Sequence, residues 1–382
     1  MGTSRSESKL TSPKISLDAS VLIGPLGGPG IAFRHLLGGL QEHGSLDLSV
    51  FALGLRSGDL SARLPSGVQH HQRRVPARLM QWGWTNLGRP HVGNLVGNVD
   101  LVHSFGTLVP PRGSLKQLVT VHDAAVFVAP EFESPLARQG VGSLRRAVRE
   151  GAILHTPTEA VKAELIEHLR VPEARVVVIP WGVPALEMRD PVEVDRWLPP
   201  GVDRYIVALG PDIPRKNLTT LVAAFDQLAD EDHGLGLIVI GRNDDPSRSS
   251  SSTSSKIRHR NRITWTGVLS SPEVATLVGG ATLLAFPSLY EGFGFPPLQA
   301  MAAGIPVVLS DIPTLREVAG DAALFVPPLD AGALAHAMES LLHSSALHRD
   351  LQIRGRRRVA AFDWPTTASS MVELYGRVLA HG

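Results

Sequence analysis

Residues Ala285 to Pro328 read AFPSLYEGFGFPPLQAMAAGIPVVLSDIPTLREVAGDAALFVPP, and the order of signals in them decides the fold. The apolar run LLAFPSLY ends at the acidic Glu291. Gly292 and Gly294 follow, and glycine lets the backbone approach a ligand closely. Pro296 and Pro297 suit the first positions of a helix, where a missing N–H costs nothing. Such a helix points unpaired N–H groups and its positive end at whatever the glycine loop holds, and a diphosphate suits both. A second apolar run, IPVVLS, leads to a second acidic turn around Glu317. Strand, loop, helix, strand is the repeating unit of a parallel α/β sheet.

The same alternation extends outward on both sides. RYIVALG, GLIVIG and ITWTG read as strands, with NLTTLVAAFDQLAD and SPEVATLVGGA as helices between them. Toward the N-terminus, ISLDASVLIG, LDLSVFAL, VDLVHSF, QLVTVHD and RVVVIP read as strands. IAFRHLLGGLQEHG, LARQGVGSLRRAVREG and EAVKAELIEHLR read as helices. This predicts two doubly wound, Rossmann-like parallel-sheet domains facing a cleft, over 14–180 and 203–362, joined by a Pro/Gly-rich linker at 181–202. Residues 1–13 are expected to be disordered, as is SRSSSSTSSK at Ser247 to Lys256, which reads as a solvated linker or a mobile flap. Open parallel sheets bind ligands at the carboxyl ends of their strands.

A chain of 382 residues is long enough for two such cores. A net charge of +1 demands no nucleic-acid partner. No apolar run approaches the roughly 20 residues that span a bilayer, and the polar start MGTSRSESKLTSPK lacks the apolar core of a secretory signal. The expected location is the cytoplasm or the inner face of its membrane. With no cysteine there is no disulfide framework and no thiolate. Only six of the 37 cationic residues are lysine, which draws attention to Lys216.

Arg215 and Lys216 fall at a strand-to-helix turn in ALGPDIPRKNLTTLVAAF. Positive charge is unfavourable at the start of a helix. Two cations there can neutralise a diphosphate leaving group without a metal; the bland alternative is solvated charge. His122 and Asp123 end the apolar strand LVTVHD, where they face the cleft or are simply packed. Gly24 to Gly39, with Gly27 and Gly28, is a glycine turn before a helix. It has no GxGxxG pattern, and no acidic ribose-binding residue ends the next strand, which argues against a dinucleotide oxidoreductase. No His or carboxylate cluster has metal-ligand spacing, so no metal and no cofactor are expected. Two further patches read blandly. QHHQRRVPARLMQWGW, Gln69 to Trp84, is a loop, an acceptor-pocket lining or a membrane-surface segment. RGRRRVAAF, from Arg354, is the solvated face of a late helix.

The YEGFGFPPLQAM segment, the PRKN turn and the VTVHD strand end together resemble the retaining GT-B glycosyltransferases of family four (glycosyl transferases group 1), in a mannosyltransferase-like form. The likeness covers residues from about 20 to 380 and is more specific in the second half. It implies a GT-B fold whose first domain binds the acceptor and whose second binds the nucleotide sugar. The last helix, in 363–382, would cross back onto the first domain.

Catalytic roles would then fall to His122, Asp123 and Glu291. Arg215 and Lys216 would hold the diphosphate, and Gly27 and Gly28 would close over it. Gly292, Phe293, Gly294 and Phe295 would line the sugar and phosphate. Gly241, Arg242, Val268 and Leu269 would wall the base, and Glu317 would support the cleft or lie on a helix surface. The family's second glutamate is replaced by Gln299, which keeps an acceptor but loses a charge-assisted hydrogen bond to the ribose. The implied donor is a nucleoside diphosphate sugar, GDP-mannose being favoured. The implied acceptor is a glycan, a lipid-linked glycan or a small molecule. A non-catalytic partner subunit and a nucleotide-sugar 2-epimerase are the competing readings.

Overall fold

The computed structural model describes residues 12–23, 27–53, 60–73, 77–184, 194–211, 213–241 and 257–380. Residues 1–11, Arg242, the Ser247 to Lys256 stretch and 185–193 of the expected linker lie outside the described residues. The first half runs β1 (Lys14–Asp18), α1 (Gly28–His43), β2 (Asp47–Leu53), β3 (Gln69–Arg73), α2 (Ala77–Trp82), α3 (Gly93–Val96) and β4 (Leu101–Phe105). It continues with β5 (Lys116–Thr120), α4 (Ala125–Val128), α5 (Pro135–Arg149), β6 (Ile153–Thr156), α6 (Glu159–Leu169) and β7 (Val176–Val178). The second half runs β8 (Arg204–Leu209), α7 (Leu218–Glu231), β9 (Leu235–Ile240), β10 (Ile263–Trp265), α8 (Ser271–Gly279), β11 (Leu283–Phe286) and α9 (Phe295–Ala302). Then come β12 (Val307–Ser310), α10 (Pro313–Ala319), β13 (Leu324–Val326), α11 (Ala331–His343), α12 (Ser345–Val359) and α13 (Trp364–Ala380).

Two wholly parallel sheets result, ordered β3-β2-β1-β4-β5-β6-β7 and β10-β9-β8-β11-β12-β13. Their central strands are buried throughout: LVHSF in β4, LGLIVI in β9, LLAF in β11 and VVLS in β12. Helices cover both faces of such sheets, so continuous apolar runs replace alternation. Strand order reverses between β1 and β4 and again between β8 and β11. Loops leaving those strands splay apart and open a crevice at each reversal. The protein is therefore two Rossmann-like domains facing a cleft, a GT-B architecture.

The chain crosses between the halves twice, and the crossings run side by side. Val183 N–H donates to the Phe362 carbonyl at 3.0 Å. A Cβ on Gly182 would lie 2.5 Å from the Trp364 nitrogen, so only glycine lets the two segments meet. α13 then packs on α1, where a Cβ on Gly39 would come within 2.9 Å of Ala368 Cβ.

Three local expectations are corrected. The strand expected over ISLDASVLIG ends at Asp18, whose carboxylate accepts the Ser20 N–H at 2.9 Å and starts a 3-10 turn. Gln69 to Trp84 is not a loop: QHHQR forms the edge strand β3, and a helical segment follows. An edge strand needs no apolar alternation, so its polar sequence hid it. The basic run in α12 is more than a solvated face, because Arg358 donates to the Val318 and Glu317 carbonyls at 2.8 and 2.6 Å. Among the described residues, no helix is long and apolar enough to cross a membrane.

Candidate active site

The loops leaving β8 and β11, the reversal pair of the second sheet, carry the strongest candidates. After β8, Gly210 adopts φ 139°, and a Cβ there would press on the Lys216 side chain at 3.0 Å. The turn Pro214–Lys216 leads into α7 through Asn217 at φ 52°, whose Nδ2 donates to the Pro287 carbonyl at 3.1 Å. Leu289 N–H donates to the Arg215 carbonyl at 2.8 Å, so the two loops are stitched together. Across this seam Lys216 Nζ lies 2.5 Å from Glu291 Oε1 and 4.6 Å from the Phe286 ring centre. Both charged side chains are buried. Burial pushes the Glu291 carboxyl up, but Lys216 and then Arg215 outweigh it and hold the group below its usual value.

The glycine loop then turns into α9 through Gly294 at φ 104°, with Phe295 as the first helical residue and Pro296 and Pro297 behind it. A Cβ on Gly292 would overlap the His122 carbonyl oxygen, at 2.1 Å, so the acidic turn presses directly on the end of β5. Arg215 Nη1 stands 3.8 Å from Asp123 Oδ2. Burial raises Asp123 above the usual carboxylate value, with Arg215 opposing it.

His122 packs at a tilt between Phe105 and Trp181, ring centres 5.9 and 5.7 Å away, and its Nε2 is buried without a hydrogen-bond partner among the described residues. Burial, reinforced by His155, lowers its pKa to about 3, so the ring is neutral at pH 7. The start of α1 meets the start of α9: a Cβ on Gly28, next to the N-cap Gly27, would lie 3.8 Å from Phe295 Cδ2. Two positive helix ends thus face one space.

At the far side, Gly241 directly follows β9 and its N–H donates to the Gly267 carbonyl at 3.1 Å, beside Val268, which is 84% exposed, and half-buried Leu269. Gln299 is half-buried in the second turn of α9. The expected wall residue Arg242 lies outside the described residues. Among the described residues, no group of three or more His, Asp or Glu could hold a metal ion.

The comparisons with known proteins agree with this layout. The family described as "Glycosyl transferases group 1" matches residues 192–358, and "Glycosyltransferase Family 4" matches residues 26–185. The chain is a GT-B glycosyltransferase of these families. It is 28% identical over 304 residues to the MMP alpha-(1->4)-mannosyltransferase of Mycolicibacterium hassiacum, covering 74% of this chain and 72% of that one. It is 27% identical over 291 residues to O-antigen chain mannosyltransferase B of Escherichia coli, covering 72% and 74%. The fold is similar to that of sucrose-phosphate synthase from Thermosynechococcus elongatus, with a TM-score of 0.73, 23% identity and coverage of 97% and 100%. The GT-B glycosyltransferase is thus related to mannosyltransferases and depends on a nucleotide sugar.

Sequence reasoning missed the residues that join the halves of this enzyme. Tyr290 accepts the Ala124 N–H at 2.8 Å and donates to Glu164 Oε2 at 2.6 Å. Thr158 Oγ1 donates to the Gly292 carbonyl at 3.1 Å. The one available signal was adjacency, since Tyr290 precedes Glu291. Glu317, which the sequence offered as a cleft support or a helix-surface residue, joins the halves too: its carboxylate accepts the Glu159 and Ala160 N–H groups.

Proposed function

We propose that the chain transfers a mannosyl group from GDP-mannose to an acceptor hydroxyl, retaining the anomeric configuration and needing no metal. The observation that carries this reading is the meeting of Arg215, Lys216 and Glu291 with His122 and Asp123 where both sheets present their strand ends. The names of the relatives support the choice of sugar. Residues 14–180 would bind the acceptor and 203–362 the donor, with 181–202 as hinge and 363–382 tying the halves together. The acceptor is a glycan, a lipid-linked glycan or a small molecule. A lipid-linked one would bring the exposed Leu79, Trp82 and Leu87 against the membrane surface.

In this mechanism Arg215, Lys216 and the start of α9 hold the diphosphate, and Gly27 and Gly28 close on it from the first domain. Glu291 accepts hydrogen bonds from sugar hydroxyls, while the N–H groups of Gly292 to Phe295 line the sugar and phosphate. Gln299 meets the ribose, and Gly241, Val268 and Leu269 flank the base. Neutral His122, with Asp123, faces the reacting carbon. The acceptor oxygen bonds to that carbon as the bond to the diphosphate oxygen breaks. The acceptor proton passes to the departing diphosphate, on the same face of the sugar. Arg215 and Lys216 stabilise the charge that develops, a term that grows in a water-poor cleft.

Thermal stability with GDP, UDP, ADP and TDP tests the site. A nucleotide at 100 times its dissociation constant adds about 2.7 kcal/mol. GDP should stabilise the parent and not Lys216→Ala. Stabilisation by none of the four favours the partner-subunit reading. Release of epimerised or free sugar without an acceptor favours the epimerase. Proton NMR of the first product reads the anomeric configuration.

A further inference from the structure

We propose that Glu317 is a positioning residue: by capping α6 from across the cleft, it fixes the register of the two halves in which the reacting groups meet. The Glu159 N–H donates to Glu317 Oε1 at 2.7 Å and the Ala160 N–H to Oε2 at 2.9 Å. A helix start leaves four N–H groups without internal partners. In α6 the next one, on Val161, goes to the side chain of Thr158, the helix's own N-cap, at 3.3 Å. The first two are thus satisfied by the other half of the chain. A carboxylate is also the charge that the positive end of a helix favours.

Both sides of this contact are braced. Arg358 holds the Glu317 and Val318 carbonyls from behind, which fixes the end of α10. The same helix α6 is gripped again by the loop that carries Glu291. Thr158 Oγ1 donates to the Gly292 carbonyl, and Tyr290 donates to Glu164 Oε2. Gly292 has no slack against the His122 carbonyl. A small rotation at α6 would therefore separate Glu291 and Lys216 from His122 and Asp123. Misplacement by about 1 Å can cost a hundredfold in rate. Glu317 needs no contact with either substrate to have this effect.

The proposal rests on the glycosyltransfer reading, and its test keeps the two apart. Glu317→Ala removes the acceptor. Glu159→Pro removes a donor from the opposite side. Glu159 is the first helical residue, where proline is tolerated, and Thr158 before it is extended (φ −141°, ψ 152°), as a residue preceding proline must be. With the full chain and GDP-mannose, each variant should lower kcat about tenfold with KM within about twofold of the parent. The double variant should be no slower than the slower single one, because both break one contact. Glu317→Gln, keeping one acceptor oxygen, should lie between parent and Glu317→Ala. Hydrogen exchange at Ala160 should quicken in Glu317→Ala, and the radius of gyration from X-ray scattering should rise.

Unchanged kcat in both single variants, or fully additive losses, would overturn the proposal. So would weaker GDP binding with kcat intact. If the parent does not turn over GDP-mannose, the proposed function fails by itself, and exchange and scattering then decide the latch. Faster exchange with a larger radius supports it, and no change in either overturns it.

Discussion

The Lys216–Glu291 pair and the His103–Thr120–His155 chain are both buried, yet one is charged and the other neutral. Lys216 and Glu291 lie 2.5 Å apart, and their opposite charges offset the cost of leaving water. Among the described residues, the histidines have no carboxylate partner. His155 Nε2 donates to the Ile179 carbonyl at 3.0 Å, so its Nδ1 must accept from the Thr120 hydroxyl at 2.8 Å. Thr120 in turn accepts from His103 Nε2 at 2.7 Å, and the Tyr375 hydroxyl donates to His103 Nδ1 at 2.8 Å. Each link fixes the next, and every ring in the chain is neutral. Burial lowers the His155 pKa to about 4 and that of His103 well below its usual value. One cluster keeps a buried pair of opposite charges, while the other ties β4, β5, β6 and α13 together without any.

This contrast can be broken most severely at Lys216. Lys216→Ala should lower kcat with GDP-mannose by about a hundredfold. It should also cost about 3 kcal/mol of stability in urea, because Glu291 is left buried and unpaired. Pairing Lys216→Met with Glu291→Leu should recover the stability and none of the activity. Recovery of both would show that transfer does not need the charge of this pair.

Acid titration of stability separates the two clusters by pH window. The folded state refuses a proton at His155 that the unfolded chain accepts below its ordinary value of 6.5. Stability is full above pH 6.5 and falls as pH drops toward 4, by about 3 kcal/mol for this residue. Glu291, held below its ordinary value of 4.5, keeps its contribution above that pH and loses it only as pH falls further. Urea denaturation from pH 8 to 4 should show the first loss, and His155→Gln should reduce it, leaving the shares of the buried His103 and His122.

Thr120→Val conserves shape and removes the hydroxyl between two rings. It should cost about 2 kcal/mol, as buried nitrogens lose partners, with kcat per folded molecule unchanged. The smallest effect is expected at Gln299. Gln299→Glu restores a charge-assisted acceptor and should tighten GDP binding about fivefold by calorimetry. No gain would remove Gln299 from the ribose.

How much of this was legible varies with the kind of residue. Arg215, Lys216, Gly292, Gly294 and Glu291 announced themselves because charge or glycine beside an apolar strand has few structural excuses. His103, His155 and Tyr375 gave no signal, since a lone polar residue in an apolar run is ambiguous until its partner is known. Tyr375 lies 272 positions from His103. Glu317 read equally as a cleft support or a glutamate on a helix surface, and Arg358 as part of a solvated basic face. Their roles depend on atoms 158 and 40 positions away.

The sequence by itself determined two parallel α/β sheets and the turns that end β8 and β11. Those follow from apolar periodicity, proline position and glycine, which act within a few residues of chain. Only the tertiary structure decided which charges are paired, which histidines are neutral, and that α6 of one half is capped by the other. Such facts depend on the distance between groups far apart along the chain, and on the low dielectric that folding creates around them.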